Sequence, residues 1–346
     1  MRSYRRLAAA CALALLCAPG TCLRTPVPAD APRELDMRRI AGAAATADPA
    51  WQRASVWHLE APASLKFGGY SAMFMLGERR LRAFSDRGFR LTFTLPDVPP
   101  LAPGSAPETT DIARMIVGED RLQWQLWDIE AATRDPANGD YWLAYENTHA
   151  IHRFSLPSEP EGVRLLEDEV DWYDNGGLEA LVRLADGRFV GIPEGRDEAL
   201  IYPGDPVEGG APEPVPFAVP TAGFAVTDMA QLPDGRLLML LRDTAWGLPP
   251  FTSALAIADP PPADPAERTV WRARLLLDLD AILPRENYEG LAIAPQDDGR
   301  IAIWLISDDN FSALQRTLLA KLVFDPRGRA AMKKARRSPG APLHVQ

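Results

Sequence analysis

Cysteine is nearly absent from this 346-residue chain: Cys11, Cys17 and Cys22 are the only three. All fall within the first 22 residues, so a disulfide framework and cysteine-based zinc motifs are excluded for the remainder. Histidine is scarce too, at four residues. His149 and His152 form an H-x-x-H, but residues three apart on a strand point to opposite faces and make a poor shared metal site. No run of 18 apolar residues follows the N-terminus, which excludes a later helical membrane span. Phosphate-binding and dinucleotide glycine loops are missing, and Gly69-Tyr70-Ser71-Ala72-Met73 matches only the first half of a nucleophile elbow. Positive charge is short as well. The formal net charge is −10, which argues against nucleic acid and anionic membranes as partners.

The first 22 residues have the pattern of a secretory signal: Arg2, Arg5 and Arg6, then a short apolar core over 7–18, then small residues. Its removal would take the charge to −13. A periplasmic or secreted location is expected. The Arg5-Arg6 pair raises the twin-arginine route as an alternative, which its neighbours fit poorly. Pro19-Gly20-Thr21 before Cys22 is not a lipobox, so lipoprotein anchoring is not expected. Residues 23–50 have the composition of a linker. Residues 327–346 carry Lys333-Lys334-Ala335-Arg336-Arg337 and are expected to be a basic disordered tail.

Residues 51–326 hold a repeat. Two short apolar strands, joined by a turn, are opened and closed by polar or acidic residues. The opening positions are Ser71, Glu130, Glu179, Asp228 and Glu289, spaced 59, 49, 49 and 61 residues apart. A period near fifty with strand-length units indicates a propeller. Unit three shows four strands, at 178–184, 188–192, 199–202 and 215–219. Asp186-Gly187 is its hairpin signal, recurring as Asp234-Gly235, Asp298-Gly299 and Asn138-Gly139. Unit five has three strands before the tail, and 55–59 could supply its fourth, closing the ring. The fold class is thus all-β: a single β-propeller of four-stranded blades, five units counted and six as the alternative, closed by an N-terminal strand. The Pro-rich stretches 96–108 and 260–266 account for the longer steps.

In such a blade the start of the first strand and the end of the second lie at one mouth of the channel. The second strands end at Asp86, Glu146, Glu194, Asp243 and Asp308-Asp309. Crowded carboxylates need neutralising, and oxygen ligands without cysteine suit hard cations, Ca²⁺ first and Mg²⁺ as the alternative. The candidate metal ligands are Asp86, Glu130, Glu146, Glu179, Glu194, Asp228, Glu289, Asp308 and Asp309. The competing reading is that acids at strand ends bond nearby backbone N–H groups. Arg87, Arg242 and Arg316 could pair with the acids or clamp an anionic group, with pairing favoured for Arg242 beside Asp243.

Several segments resemble the phytase-like family, also described as the esterase-like activity of phytase. They include Phe67-Gly68-Gly69-Tyr70-Ser71, Ser85-Asp86-Arg87-Gly88, Asn175-Gly176-Gly177-Leu178-Glu179-Ala180-Leu181 and Leu232-Pro233-Asp234-Gly235-Arg236. The most specific are Asn287-Tyr288-Glu289-Gly290-Leu291-Ala292, Ser307-Asp308-Asp309-Asn310-Phe311 and Gln315-Arg316-Thr317-Leu318-Leu319. The resemblance implies an exported β-propeller distantly related to calcium-dependent phytases. Pro193 before Glu194 departs from the pattern by removing a backbone donor. Alkaline phytases proper are six-bladed and use Lys and Arg beside calcium; the few lysines here argue against phytate itself. Two functions follow. One is a metal-dependent hydrolase of phosphate or carboxylate esters, with Glu179, Glu289 and Asp308 as ligands or general base and Arg87 and Arg316 stabilising charge. The other is a non-catalytic propeller that binds a ligand or partner, with structural calcium. A small anionic substrate and a monomer are expected.

Overall fold

The hairpin turns set the repeat. Gly139, Gly187, Gly235 and Gly299 all adopt left-handed backbone, with φ of 89°, 89°, 88° and 80°, a region that glycine enters without steric cost. In three of these turns the preceding aspartate accepts from the arginine N–H two residues on. The distances are 3.1 Å for Asp186–Arg188, 3.2 Å for Asp234–Arg236 and 3.0 Å for Asp298–Arg300. The same guanidinium closes back onto the other carboxylate oxygen. Asn138 accepts from Asp140 N–H at 2.9 Å in the fourth.

The computed structural model describes residues 35–40, 48–52, 54–61, 64–105, 108–116, 126–167, 169, 172 and 176–327. The segment 1–22 expected to be a signal, and the stretch beyond residue 327 expected to be a tail, lie outside the described residues. Two strands precede the first repeat, β1 (Asp36–Ile40) and β2 (Ser55–Glu60). Blade 1 contains β3 (Tyr70–Leu76), β4 (Arg80–Ser85), β5 (Phe89–Thr94) and β6 (Asp111–Arg114). Blade 2 contains β7 (Ile129–Arg134), β8 (Tyr141–Tyr145), β9 (Ala150–Ser155) and β10 (Glu159–Leu165). Blade 3 contains β11 (Leu178–Arg183), β12 (Phe189–Pro193), β13 (Glu198–Tyr202) and β14 (Glu213–Ala218). Blade 4 contains β15 (Ala225–Gln231), β16 (Leu237–Thr244), β17 (Phe251–Ala258) and, after β18 (Trp271–Arg272), β19 (Arg274–Asp278). Blade 5 contains β20 (Asn287–Pro295), β21 (Ile301–Asp308) and β22 (Leu318–Phe324).

Blade 5 takes its outer strands from the N-terminal region. β2 pairs antiparallel with β22, and β1 pairs with β2. β1 lies inside the stretch whose composition suggested a linker. The Pro-rich excursion before residue 271 returns as β18, which adds a parallel strand to β14 of blade 3. Five sheets make five blades among the described residues, so the six-blade alternative is not realised there.

Period-two side-chain alternation joins the blades. In β21, Ile301, Ile303 and Leu305 pack with Leu238, Leu240 and Leu255 of blade 4. The intervening Ala302, Trp304 and Ile306 pack with Tyr70, Leu81 and Phe93 of blade 1. A strand buried on both faces reads as an unbroken apolar run, as in Ile301-Ala302-Ile303-Trp304-Leu305-Ile306. Equivalent clusters join blades 1 and 2 through Phe84 and Tyr141, 2 and 3 through Trp142 and Phe189, and 3 and 4 through Val190 and Met239. Each neighbouring pair, including 5 and 1, therefore shares its own apolar core.

Trp57, from β2, lies 5.8 Å from Trp304 within the blade 5–blade 1 core. Trp57→Ala is expected to cost about 3–5 kcal/mol in urea unfolding. A loss below about 1 kcal/mol would show that β2 is not part of that core.

Candidate functional site

Every blade carries a β-bulge between its first and second strands, at the same place each time. The register of the first and second strands slips at Ser71, Glu130, Glu179, Thr227 and Glu289. A bulged residue is left unpaired in the ladder and turns its side chain out of the regular alternation. One residue beyond the pair that flanks each bulge, the second strands present Asp86, Glu146, Glu194, Arg242 and Asp308. The backbone equivalence extends further. Asp86, Glu146 and Glu194 donate their N–H to the carbonyls of Gly69, Asp128 and Gly177 at 2.9 Å. Arg242 pairs with Ala225, and Asp308 with Asn287. Four blades thus bring an acid to this position and blade 4 brings an arginine.

These groups share one electrostatic environment. Burial raises Asp86 to about 8, helped by the negative charges of Glu289 and Asp128 and opposed by the Ser71 hydroxyl, which donates to Asp86 at 2.6 Å. Burial also raises Glu179 to about 8; Arg242 opposes this, and Glu194, Glu289 and Glu146 add to it. Glu146 is raised to about 7 by burial, then by Asp128 and Glu194. Glu130 is pushed well above the usual range by burial and by Glu179, Asp86, Glu289 and Glu146. Asp308 is likewise raised, by burial and by Asp86, Glu289 and Asp309. Glu194 is raised by burial, with Arg242 opposing.

Arg242 stands against these acids. Its Nη1 donates to Glu289 Oε1 and, at 3.0 Å, to Asn287 Oδ1. Asn287 Nδ2 in turn donates to Glu289 Oε1 at 2.8 Å and to Asp308 Oδ2 at 3.3 Å. Burial opposes the arginine's charge, but Glu289, Glu179, Glu130 and Asp308 outweigh it and raise its pKa.

Several residues expected at the site are engaged differently. Asp228 is offset by one from the bulge at Thr227. It is fully buried and accepts from Met229 N–H at 2.7 Å and Leu291 N–H at 2.6 Å, fastening blade 4 to blade 5. A one-residue offset reverses a strand side chain. The same offset separates Asp243 from Arg242. Asp243 accepts from Thr244 N–H, and Arg242 pairs with Glu289 rather than with its chain neighbour. Asp309 accepts from Gly69 and Phe311 N–H at 3.0 Å each and from Thr317 Oγ1 at 3.2 Å, clasping blade 5 to blade 1. Arg316 is held by Glu286 at 2.6 Å. Arg87 lies over the Phe311 ring, 3.5 Å from its centroid. His149 stacks on Trp172 while His152 is buried in β9.

Backbone strain gathers at the same mouth. Among the described residues the non-glycine positions with positive φ are Asp128, His149, Asn310 and Phe311, at 56°, 40°, 47° and 49°. All four lie just before a first strand or in a turn after a second strand. Such conformations persist where the surrounding structure enforces them, and they cluster at functional sites. Gly69 is required here, because a Cβ on it would sit 2.4 Å from the Phe311 ring.

The donor set is all oxygen and suits a hard cation chemically. The arrangement does not supply a coordination group: among the described residues, no three His, Cys, Asp or Glu side chains stand together so as to hold a metal ion. The guanidinium of Arg242 takes two of the available oxygens instead.

The sequence model of the family described as "Phytase-like: Esterase-like activity of phytase" matches residues 65–311, most of the chain. The chain belongs to the phytase-like family. No curated protein matches this phytase-like chain. Solved structures similar to it include an exo-1,5-alpha-L-arabinanase from a bovine ruminal metagenomic library, at 13% identity and TM-score 0.44, covering 75% of this chain and 96% of that one. YCF48 bound to D1 peptide is similar at 13% identity and TM-score 0.38, covering 82% and 98%. Kuenenia stuttgartiensis hydrazine synthase is similar at 13% and 0.36, covering 75% of this chain, which spans 64% of that one. No helix among the described residues of the phytase-like propeller is long and apolar enough to cross a membrane.

The raised carboxyl pKa values fix a pH dependence. Asp86, Glu146 and Glu179 hold protons up to about 8, 7 and 8 when folded, against ordinary values of 3.8, 4.5 and 4.5. The folded state therefore binds more protons through this window, and its stability falls as pH rises from about 4 to about 8. In chelator-containing buffer, Tm should drop between pH 5.5 and 8.5, and Glu179→Gln should flatten that slope. A wild-type Tm that holds or rises over the interval would contradict the assignment.

Proposed function

We propose that this phytase-like propeller hydrolyses ester bonds at the acidic mouth of its channel, acting on a phosphate or carboxylate ester after export. The observation that carries the reading is the connected set of carboxyl groups at one mouth, in which the Asn287 amide joins Glu289 to Asp308 and the Ser71 hydroxyl donates to Asp86. Paired carboxyl groups in unlike environments can divide general-acid and general-base duties.

In the reaction, Glu289 takes a proton from a water molecule whose oxygen attacks the ester carbon or phosphorus. Glu289 is the best oriented of the acids, because Arg242 and Asn287 both donate to it. The ester C–O or P–O bond breaks, and the leaving alkoxide receives the proton of Asp86 or Glu179. Asp308 stands beside the base, bridged to it by the Asn287 amide. Arg87, at the rim over Phe311, balances charge developing on the substrate oxygens. Arg316, also expected to stabilise charge, is ion-paired with Glu286.

The test is turnover of a nitrophenyl phosphate and a nitrophenyl acetate by wild type and by Glu289→Gln and Asp86→Asn, with folding checked by circular dichroism. Either substitution should lower kcat by about 10²–10⁴-fold on the preferred substrate. Unchanged rates in both variants, or no turnover of either ester by folded wild type, would overturn the proposal.

A further inference from the structure

The mouth is built from equivalent positions in five blades, and one breaks the rule. Asp86, Glu146, Glu194 and Asp308 occupy the second-strand position in four blades, while blade 4 places Arg242 there. The paired bulge position also changes: blade 4 carries the neutral Thr227 where blades 2, 3 and 5 carry Glu130, Glu179 and Glu289. The blade that lacks both acids supplies the cation.

We infer that Arg242 is an internal counter-ion, a guanidinium built into the ring where the acids would otherwise require a divalent cation. Its Nη1 contacts a carboxylate oxygen of Glu289 and the amide oxygen of Asn287, the kinds of oxygen that a hard cation takes. Asn287, which accepts from Arg242, donates in turn to Glu289 and to Asp308, so the contact extends to both mouth acids of blade 5. The side chain is only 25% exposed, and its guanidinium carbon lies 5.9 Å from the centre of the Phe251 ring. An arginine cannot deprotonate in a protein, so this charge is permanent and needs no ion supply. The inference does not depend on whether an ester is cleaved.

The test uses the full chain and Ca²⁺ itself. Wild-type Tm should move by less than about 1 °C in millimolar Ca²⁺ or in EDTA, and calorimetric titration with Ca²⁺ should show no saturable heat. Arg242→Gln should melt lower in EDTA and recover by at least about 3 °C in Ca²⁺, because the acids then need an external cation. Arg242→Lys, which restores a charge but not the planar fork, should stay calcium-independent. A wild-type Tm that rises several degrees with Ca²⁺, or an Arg242→Gln protein indifferent to it, would overturn the inference. If Arg242→Gln does not fold, the wild-type titration decides alone: saturable Ca²⁺ binding overturns the inference, and its absence upholds it.

Discussion

The contact of Arg242 with Glu289 and Asn287 is the interaction on which the channel mouth depends. Burial alone would drive every acid of the ring toward its neutral form, and mutual repulsion adds to that pressure. One guanidinium, joined to blade 5 from blade 4, gives the ring a fixed positive charge. It stands where the acids of several blades feel it, and it offsets the shifts of Glu179 and Glu194. A buried charge pair of this kind is weak evidence for stability, because desolvation offsets attraction. Its value lies in holding Glu289, Asn287 and Asp308 in one connected arrangement.

The five bulges make that arrangement possible. In an unbroken ladder, side chains alternate between the two interblade cores, as they do in β21. A bulge at the start of each first strand leaves one residue outside that alternation. The glutamates at three of these positions are costly to bury, and the apolar cores on both sides offset that cost. The clasps of Asp228 to Leu291 and Asp309 to Gly69 sit beside the bulges and bind neighbouring blades by backbone donors. Acids that look alike in sequence therefore divide into two tasks, some turned to the mouth and some locking blade to blade.

Much of this was legible in the chain. The Asp-Gly-Arg turns mark the hairpins because their physics is local: a glycine at positive φ and an aspartate accepting from the N–H two residues on. The acids at 86, 130, 146, 179, 194, 289 and 308 were legible from spacing. Blade 4 was not. Its pattern offers Asp228 and Asp243 at about the right interval, and only the register of β15 against β16 shows that Thr227 and Arg242 hold the equivalent places. A one-residue slip is invisible to spacing and reverses every side chain. The partner of Arg316 was hidden for another reason, since Glu286 lies thirty residues away and meets it only when β20 and β22 flank β21. β1 leaves no such trace in the chain, because Asp36–Ile40 is a short outer strand, mostly polar and exposed, with no apolar alternation.

The most direct measurement is a high-resolution crystal structure of the protein grown with millimolar Ca²⁺, with anomalous data to locate ions. The account predicts the Arg242 guanidinium in contact with Glu289 and Asn287 and no anomalous peak among Asp86, Glu130, Glu179, Glu289 and Asp308. An ion bound by three or more of those carboxylates, with Arg242 turned away, would contradict it.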